Sequence, residues 1–282
     1  MIQALTTKPL LRCALLLLLV ACSSLVSLAQ TADPPPEPDF IVPARPTVSN
    51  PAEFQKPGVL QLEFGFNRSL RATEGGSLWD FPLAIRFAAS RRLLVEFDGD
   101  SPFAQESSGM RLTGAGDSQL GVQVVLQHEQ HKCPGVSLAY YIKVPTASSS
   151  RGFGTGRVDH SVIGLLSKTY GKTTFDVNGT WLLAGRPLNR GHASSAQGAA
   201  AVSYEIVKRW AVQAELSGFG RSDRQPGALS ALSAVTYQVN HRFVIDGGVR
   251  AGLTHDAPGL VAFVGMTVGI ADLYRHHPHA LN

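Results

Sequence analysis

Between residues 58 and 271 apolar and polar side chains alternate with a period of two, the spacing of a strand with one apolar face and one polar face. Leu60, Leu62, Phe64 and Phe66 alternate with Gln61, Glu63 and Gly65, and Trp79, Phe81, Leu83, Ile85 and Phe87 stand against Asp80, Ala84 and Arg86. The same beat returns from Val136 to Val144, from Phe175 to Leu183, from Trp210 to Leu216, from Val235 to Val239 and from Leu260 to Ile270. Such stretches make about twelve strands, each near the roughly 9 to 11 residues that a tilted strand needs to cross a bilayer. Tight connections at Ser90–Arg91, Tyr170–Lys172, Lys208–Arg209 and Asn240–His241 alternate with longer ones at 68–78, 99–115, 146–156 and 184–195. That is the asymmetry between the periplasmic turns and the extracellular loops of an outer-membrane barrel. The pattern predicts an all-β fold, a transmembrane antiparallel up-and-down β-barrel. A soluble sandwich or a lipocalin-like barrel also alternates, with the apolar face inside. Alternation alone does not say which face is inside; export and loop asymmetry decide for the membrane.

The N-terminus supplies the export signal. Lys8 and Arg12 precede the apolar run from Ala14 to Val20, in the order of a secretory signal peptide read by the Sec pathway. Cys22, Ser23 and Ser24 interrupt the run, which falls short of the roughly 18 apolar residues of a spanning helix. Two processing readings stand side by side. Ser27-Leu28-Ala29 offers the small residues of an ordinary cleavage site, and Leu19-Val20-Ala21-Cys22 offers a lipobox with Cys22 as the lipidated residue. Residues 1–29 are then the signal peptide. Residues 30–57 carry Pro34, Pro35, Pro36, Pro38, Pro43, Pro46, Pro51 and Pro57, which forbid a continuous helix or central strand and read as a periplasmic linker. Residues 58–271 are the barrel, and 272–282 a polar, His-rich tail.

Composition narrows the function classes. The formal charge of +4 is modest and its basic residues are scattered singly, so nucleic acid is not an expected partner. The expected partners are outer-membrane lipids, the barrel-assembly machinery and a small solute. Beyond the signal region only Cys133 remains, apart from Cys22 if that is acylated, which leaves no intramolecular disulfide framework.

Charged residues on the polar faces, Glu63, Arg86, Glu96, Lys143, Asp176, Glu205, Glu215 and Asp246, are the candidate lumen lining. Their mixed signs favour cross-strand pairing over a selective permeation path. Trp79, Trp181, Trp210, Tyr140, Tyr204 and Tyr237 fall on the apolar face, as interfacial girdles require. Two stretches carry residue types of sharper chemistry. His128, His131 and Cys133, with His276, His277 and His279, have the residue types of a zinc or copper site, but a polar turn explains them as well. Asp159, His160 and Ser161 hold acid, base and nucleophile in succession, yet neighbours on a strand point to opposite faces. No enzyme activity, catalytic residue, cofactor or metal is therefore expected.

Gly114-Ala115-Gly116-Asp117 followed by Leu120-Gly121-Val122-Gln123 resembles the GxGDxxLG segment of an outer-membrane transporter family named for the phenol meta-degradation pathway. The run from Pro134 to Gly156, leaving a strand at Val144-Pro145-Thr146 for a Gly-rich loop, looks like the same family's LPTG loop, with Ala147 where the family has Gly. Ser167-Lys168 and Asn178-Gly179 continue the register, and the tail after Ile270 lacks the terminal aromatic residue common in outer-membrane proteins. The resemblance implies the barrel fold and passive passage of small solutes, with the family name hinting at hydrophobic or aromatic ones. The alternative function is a non-transporting scaffold or assembly barrel with a plugged lumen; a barrel lipid hydrolase stands behind both.

Overall fold

A computed structural model describes residues 38–69, 77–100, 103–107, 110–151, 153–186, 191–222, 226–257 and 259–274. Cys22 and residues 1–29 lie outside the described residues, as do His276, His277 and His279. The strands are β1 (Val59–Ser69), β2 (Ser77–Asp80), β3 (Pro82–Ala88), β4 (Leu93–Asp100) and β5 (Phe103–Ser107). They continue as β6 (Met110–Gly114), β7 (Ser118–Gln127), β8 (Gly135–Val144), β9 (Asp159–Tyr170) and β10 (Thr173–Gly185). The last are β11 (His192–Val207), β12 (Trp210–Phe219), β13 (Ala228–Asn240), β14 (Phe243–Gly252) and β15 (Leu260–Asp272).

Twelve of these close a barrel. Neighbours pair antiparallel in the order β1, β3, β4, β7 through β15, and β15 returns to β1 with Val59 opposite Asp272 and Ser69 opposite Val261. Closure pairs every edge, which in hydrocarbon is the condition for a sheet to exist at all. The remaining three strands continue the sheet beyond the barrel: β2 pairs with the end of β1, β5 with β2, and β6 with β5. Residues 99–115, expected as a loop, thus contain a hairpin. The expected loop at 184–195 is shorter as well, because β10 runs to Gly185 and β11 begins at His192.

Polarity is inverted relative to a soluble sheet protein. Leu120, Leu216 and Val264 are 50%, 54% and 57% exposed on the outer face, whereas Arg86 and Glu63 are 0% and 2% exposed inside. An apolar exterior around a polar interior is the arrangement of a barrel embedded in lipid. The soluble sandwich and lipocalin alternatives fail on this point. Tight turns and both ends of the barrel sequence gather at one rim, the periplasmic one, and the longer connections at the other. Trp210 and Tyr237, with ring centroids 4.6 Å apart, lie near the periplasmic rim. Trp79, which carries the Arg68 guanidinium 4.4 Å above its ring, lies near the extracellular rim. Aromatic rings at both rims suit the two membrane interfaces, where an apolar body and a polar edge are both satisfied.

Val122 sits at mid-strand on the outer face of β7, 40% exposed. Val122→Arg is expected to lower barrel stability by about 2–4 kcal/mol, the cost of a cation facing the bilayer midplane. Urea unfolding of the protein reconstituted in phospholipid vesicles measures it.

Candidate functional site

The part of the Pro-rich segment 30–57 that is described, from Pro38, forms no helix or strand before β1, and it is not a free linker. It is seated in the barrel. The Lys56 amide donates to the Asp39 carbonyl at 2.9 Å, closing a loop that runs round the inner wall of the periplasmic half. A chain without its own ladder must find partners elsewhere for its main-chain groups. Here they are side chains on the inner face. Gln61 accepts from the Val42 amide (3.0 Å) and donates to its carbonyl (2.9 Å). Glu63 accepts from the amides of Ala44 (2.9 Å) and Arg45 (3.1 Å). Glu215 Oε2 accepts from the amides of Val48 and Ser49, both at 2.8 Å, and from the Ser49 hydroxyl at 2.9 Å. Asn178 binds the Asn50 main chain in both directions, Ser167 accepts from the Ala52 amide, and Gln123 donates to the carbonyls of Pro51 and Ala52. Apolar anchors accompany them: Phe54 packs with Ala88, Leu94 and Val125, and Ile41 with Val59 and Val244.

The charged residues singled out in the sequence divide by position. Arg86, fully buried, bridges Glu63 and Glu96, each at 3.2 Å, and donates to the Val42 carbonyl at 2.9 Å. Asp246 pairs with Arg45 at 3.3 Å. The guanidinium lies between Gly65 and Gly265, which face each other across β1 and β15; a Cβ at either would collide with it. Asp176 accepts a short bond from Ser167. Lys143 bridges Asp117 (2.8 Å) and Asp159 (2.7 Å) toward the extracellular end. Glu205 is apart from the rest: it lies near the turn between β11 and β12, exposed at the periplasmic rim.

Above the seated loop the barrel encloses a cavity of about 450 Å³, with Val48 and Asn50 on its floor. Glu96, Asp98 and Tyr141 line one side, Ile163, Leu182 and Phe219 another, and Arg250 enters from β14. The size falls in the range of small-molecule sites.

The sequence matches the family described as "Putative MetA-pathway of phenol degradation" over residues 44–268. The chain belongs to that family. The phenol-degradation match begins inside the seated loop and ends in β15, so it takes in loop and barrel together. No curated protein matches the sequence significantly. Among solved structures, an outer membrane channel from Pseudomonas putida F1 aligns with a TM-score of 0.62 at 12% identity, over 77% of this chain and 97% of that one. A structure named NanC porin aligns with a TM-score of 0.50 at 9% identity, over 74% and 98%. At such identities the likeness is one of fold.

The stretches that resemble phenol-degradation family motifs meet at one place. Asp117 of the GAGD stretch accepts from the Ala147 amide at 3.1 Å and pairs with Lys143, while the Thr146 hydroxyl accepts from the Ser118 amide at 2.9 Å. Gly154 packs so closely on Asp117 and Ala147 that a Cβ would collide with both. The two stretches thus fasten β7, β8 and the following loop together. Asp159 and Ser161 lie on the inner face, whereas His160 points outward and meets the Tyr140 hydroxyl at 2.7 Å, so the barrel wall separates the trio. His128 lies 3.4 Å from Glu53, and Gln130 and Cys133 close a turn by reciprocal main-chain bonds. Among the described residues no three His, Cys, Asp or Glu side chains are grouped to hold a metal. Sequence reasoning missed Gln61, Gln123, Asn178 and Arg45, the polar side chains that hold the loop. Their signal was present as amide side chains on the polar face and an unpaired arginine in the Pro-rich lead.

Arg86→Met leaves Glu63 and Glu96 buried without their cation and is expected to cost about 3–5 kcal/mol. Combining it with Glu63→Gln and Glu96→Gln is expected to restore most of the loss. Denaturant midpoints of the two variants in the same vesicles test both statements.

Proposed function

We propose that this family member is a passive outer-membrane channel for small solutes whose passage to the periplasm is gated by residues 38–57. The observation that carries the reading is a cavity of about 450 Å³ that ends on the seated loop inside a closed barrel of twelve strands. In this reading a solute entering from the extracellular mouth meets Val48 and Asn50 at the cavity floor. To go further it needs the loop to shift. Membership of a family named for a degradation pathway supports delivery of a small carbon compound, and the fold shared with an outer membrane channel supports the channel class. In this reading Glu63, Glu215 and Asp246 hold the gate, Arg86 and Glu96 brace the wall beside it, and Lys143 fastens the mouth. Insertion through the barrel-assembly machinery belongs to the same reading.

A second reading is favoured by one observation, the filling of the periplasmic half: a non-transporting barrel that serves as a surface scaffold. Planar bilayers separate the two. Deleting residues 39–56 is expected to raise single-channel conductance several-fold over the full chain. Absence of current from both proteins, together with absence of solute-dependent swelling of liposomes, overturns the channel reading and leaves the scaffold.

A further inference from the structure

We propose that the β4 wall of the cavity, at Glu96 and Asp98, is a subsite for the ammonium group of a small organic cation whose apolar body rests on Ile163, Leu182 and Phe219. The inference rests on the channel reading and names the class of solute that the cavity takes.

Its basis is an imbalance of charge in a confined space. Glu63 and Glu96 share a single guanidinium, that of Arg86, and Asp98 stands beside Glu96 on the same strand face without one. Glu96 also accepts from the Tyr141 hydroxyl at 3.2 Å, and Asp98 accepts from the Gln119 amide at 3.0 Å while lying within hydrogen-bond reach of Glu96. Among the described residues Asp98 has no ion pair of its own. Of the other cations near the cavity, Lys143 lies between Asp117 and Asp159, and Arg250 stands on β14, four strands round the wall from β4. Two acid groups in contact in a partly dehydrated pocket do not both stay charged without a positive neighbour, and a cation placed against both supplies one. An anion meets the same pair as a barrier. The cavity is much larger than a bare metal ion needs, and the apolar side chains of Ile163, Leu182 and Phe219 stand among Ser, Thr and Gln residues on the rest of its wall, which gives a carbon skeleton attached to the charge a place to rest. A protonated amine supplies up to three donors to an acceptor-rich wall, and such charge-assisted bonds are the strong ones.

The test compares three probes of one carbon skeleton, butylammonium, butyrate and 1-butanol, titrated calorimetrically into the full chain in detergent. Butylammonium is expected to bind at least about tenfold more tightly than the other two, and Asp98→Asn to remove that preference. Arg250→Gln is expected to leave it in place. Circular dichroism checks that each variant keeps its β signature. Equal binding of butyrate or butanol by the unaltered chain overturns the proposal, whatever the variants do. So does an undiminished preference in folded Asp98→Asn. Conductance is read in parallel: amine-selective binding without current sinks the channel and keeps the subsite, whereas current without amine preference does the reverse.

Discussion

Closing the sheet between β1 and β15 removes the edges that lipid forbids, and in doing so creates an inner wall whose polar side chains need partners. Seven of the residues first noticed as charges on polar strand faces sit on that wall: Glu63, Arg86, Glu96, Lys143, Asp176, Glu215 and Asp246. A buried carboxylate is tolerated when donors converge on it. For Glu63 and Glu215 the donors are main-chain amides of residues 44, 45, 48 and 49. The exchange is mutual. A Pro-rich segment with no ladder of its own obtains partners for its amides, and the wall obtains donors for its acids. Each would carry an unmet polar group without the other.

This reciprocity explains what could and could not be read from the chain. The barrel was legible because the pleat forces neighbouring side chains to opposite faces, so a lipid-facing stripe such as Leu120, Val122 and Val124 appears as a beat of two. Connection lengths gave its orientation. The seated loop was illegible because its main contacts are made by main-chain amides and carbonyls, which residues of every type but proline possess alike. Its prolines exclude helix and central strand, and a linker satisfies that exclusion as well as a lumenal loop does. The extra strands β5 and β6 were lost among loop residues for a different reason: five-residue strands are too short for alternation to stand out from polar loop sequence. Glu205 shows the limit of face assignment, because alternation gives the side of a strand and not the height at which a residue leaves the barrel.

The glycine-rich stretches behind the family resemblance have a physical meaning of their own. Asp117 joins an amide of the following loop to a lysine of the next strand, and Gly154 allows the loop to lie against it. Lys143 extends the fastening to Asp159 at the start of β9, and Asp159 in turn accepts from the Gly185 amide at 2.8 Å. Four strand ends are therefore tied at the extracellular mouth by one aspartate, one lysine and a second aspartate. A motif made of small residues and a single acid speaks of a shape to be held.

The division of the lumen into a tied mouth, a cavity and a seated loop bears directly on how solute could pass. The wall is a closed hydrogen-bonded sheet, so widening it means breaking ladder bonds in lipid, where nothing replaces them. The loop is different: its bonds run to side chains, and water can take their place one at a time once it moves toward the periplasm. The opening that the proposed gate implies is thus release of residues 39–56 from Glu63, Glu215 and Asn178. Arg45 adds to the resistance, since it is held by Asp246 and enclosed by Gly65 and Gly265. Release of the proposed gate would also leave Glu63 and Glu215, which the loop covers, facing the path, and so would make the interior more negative.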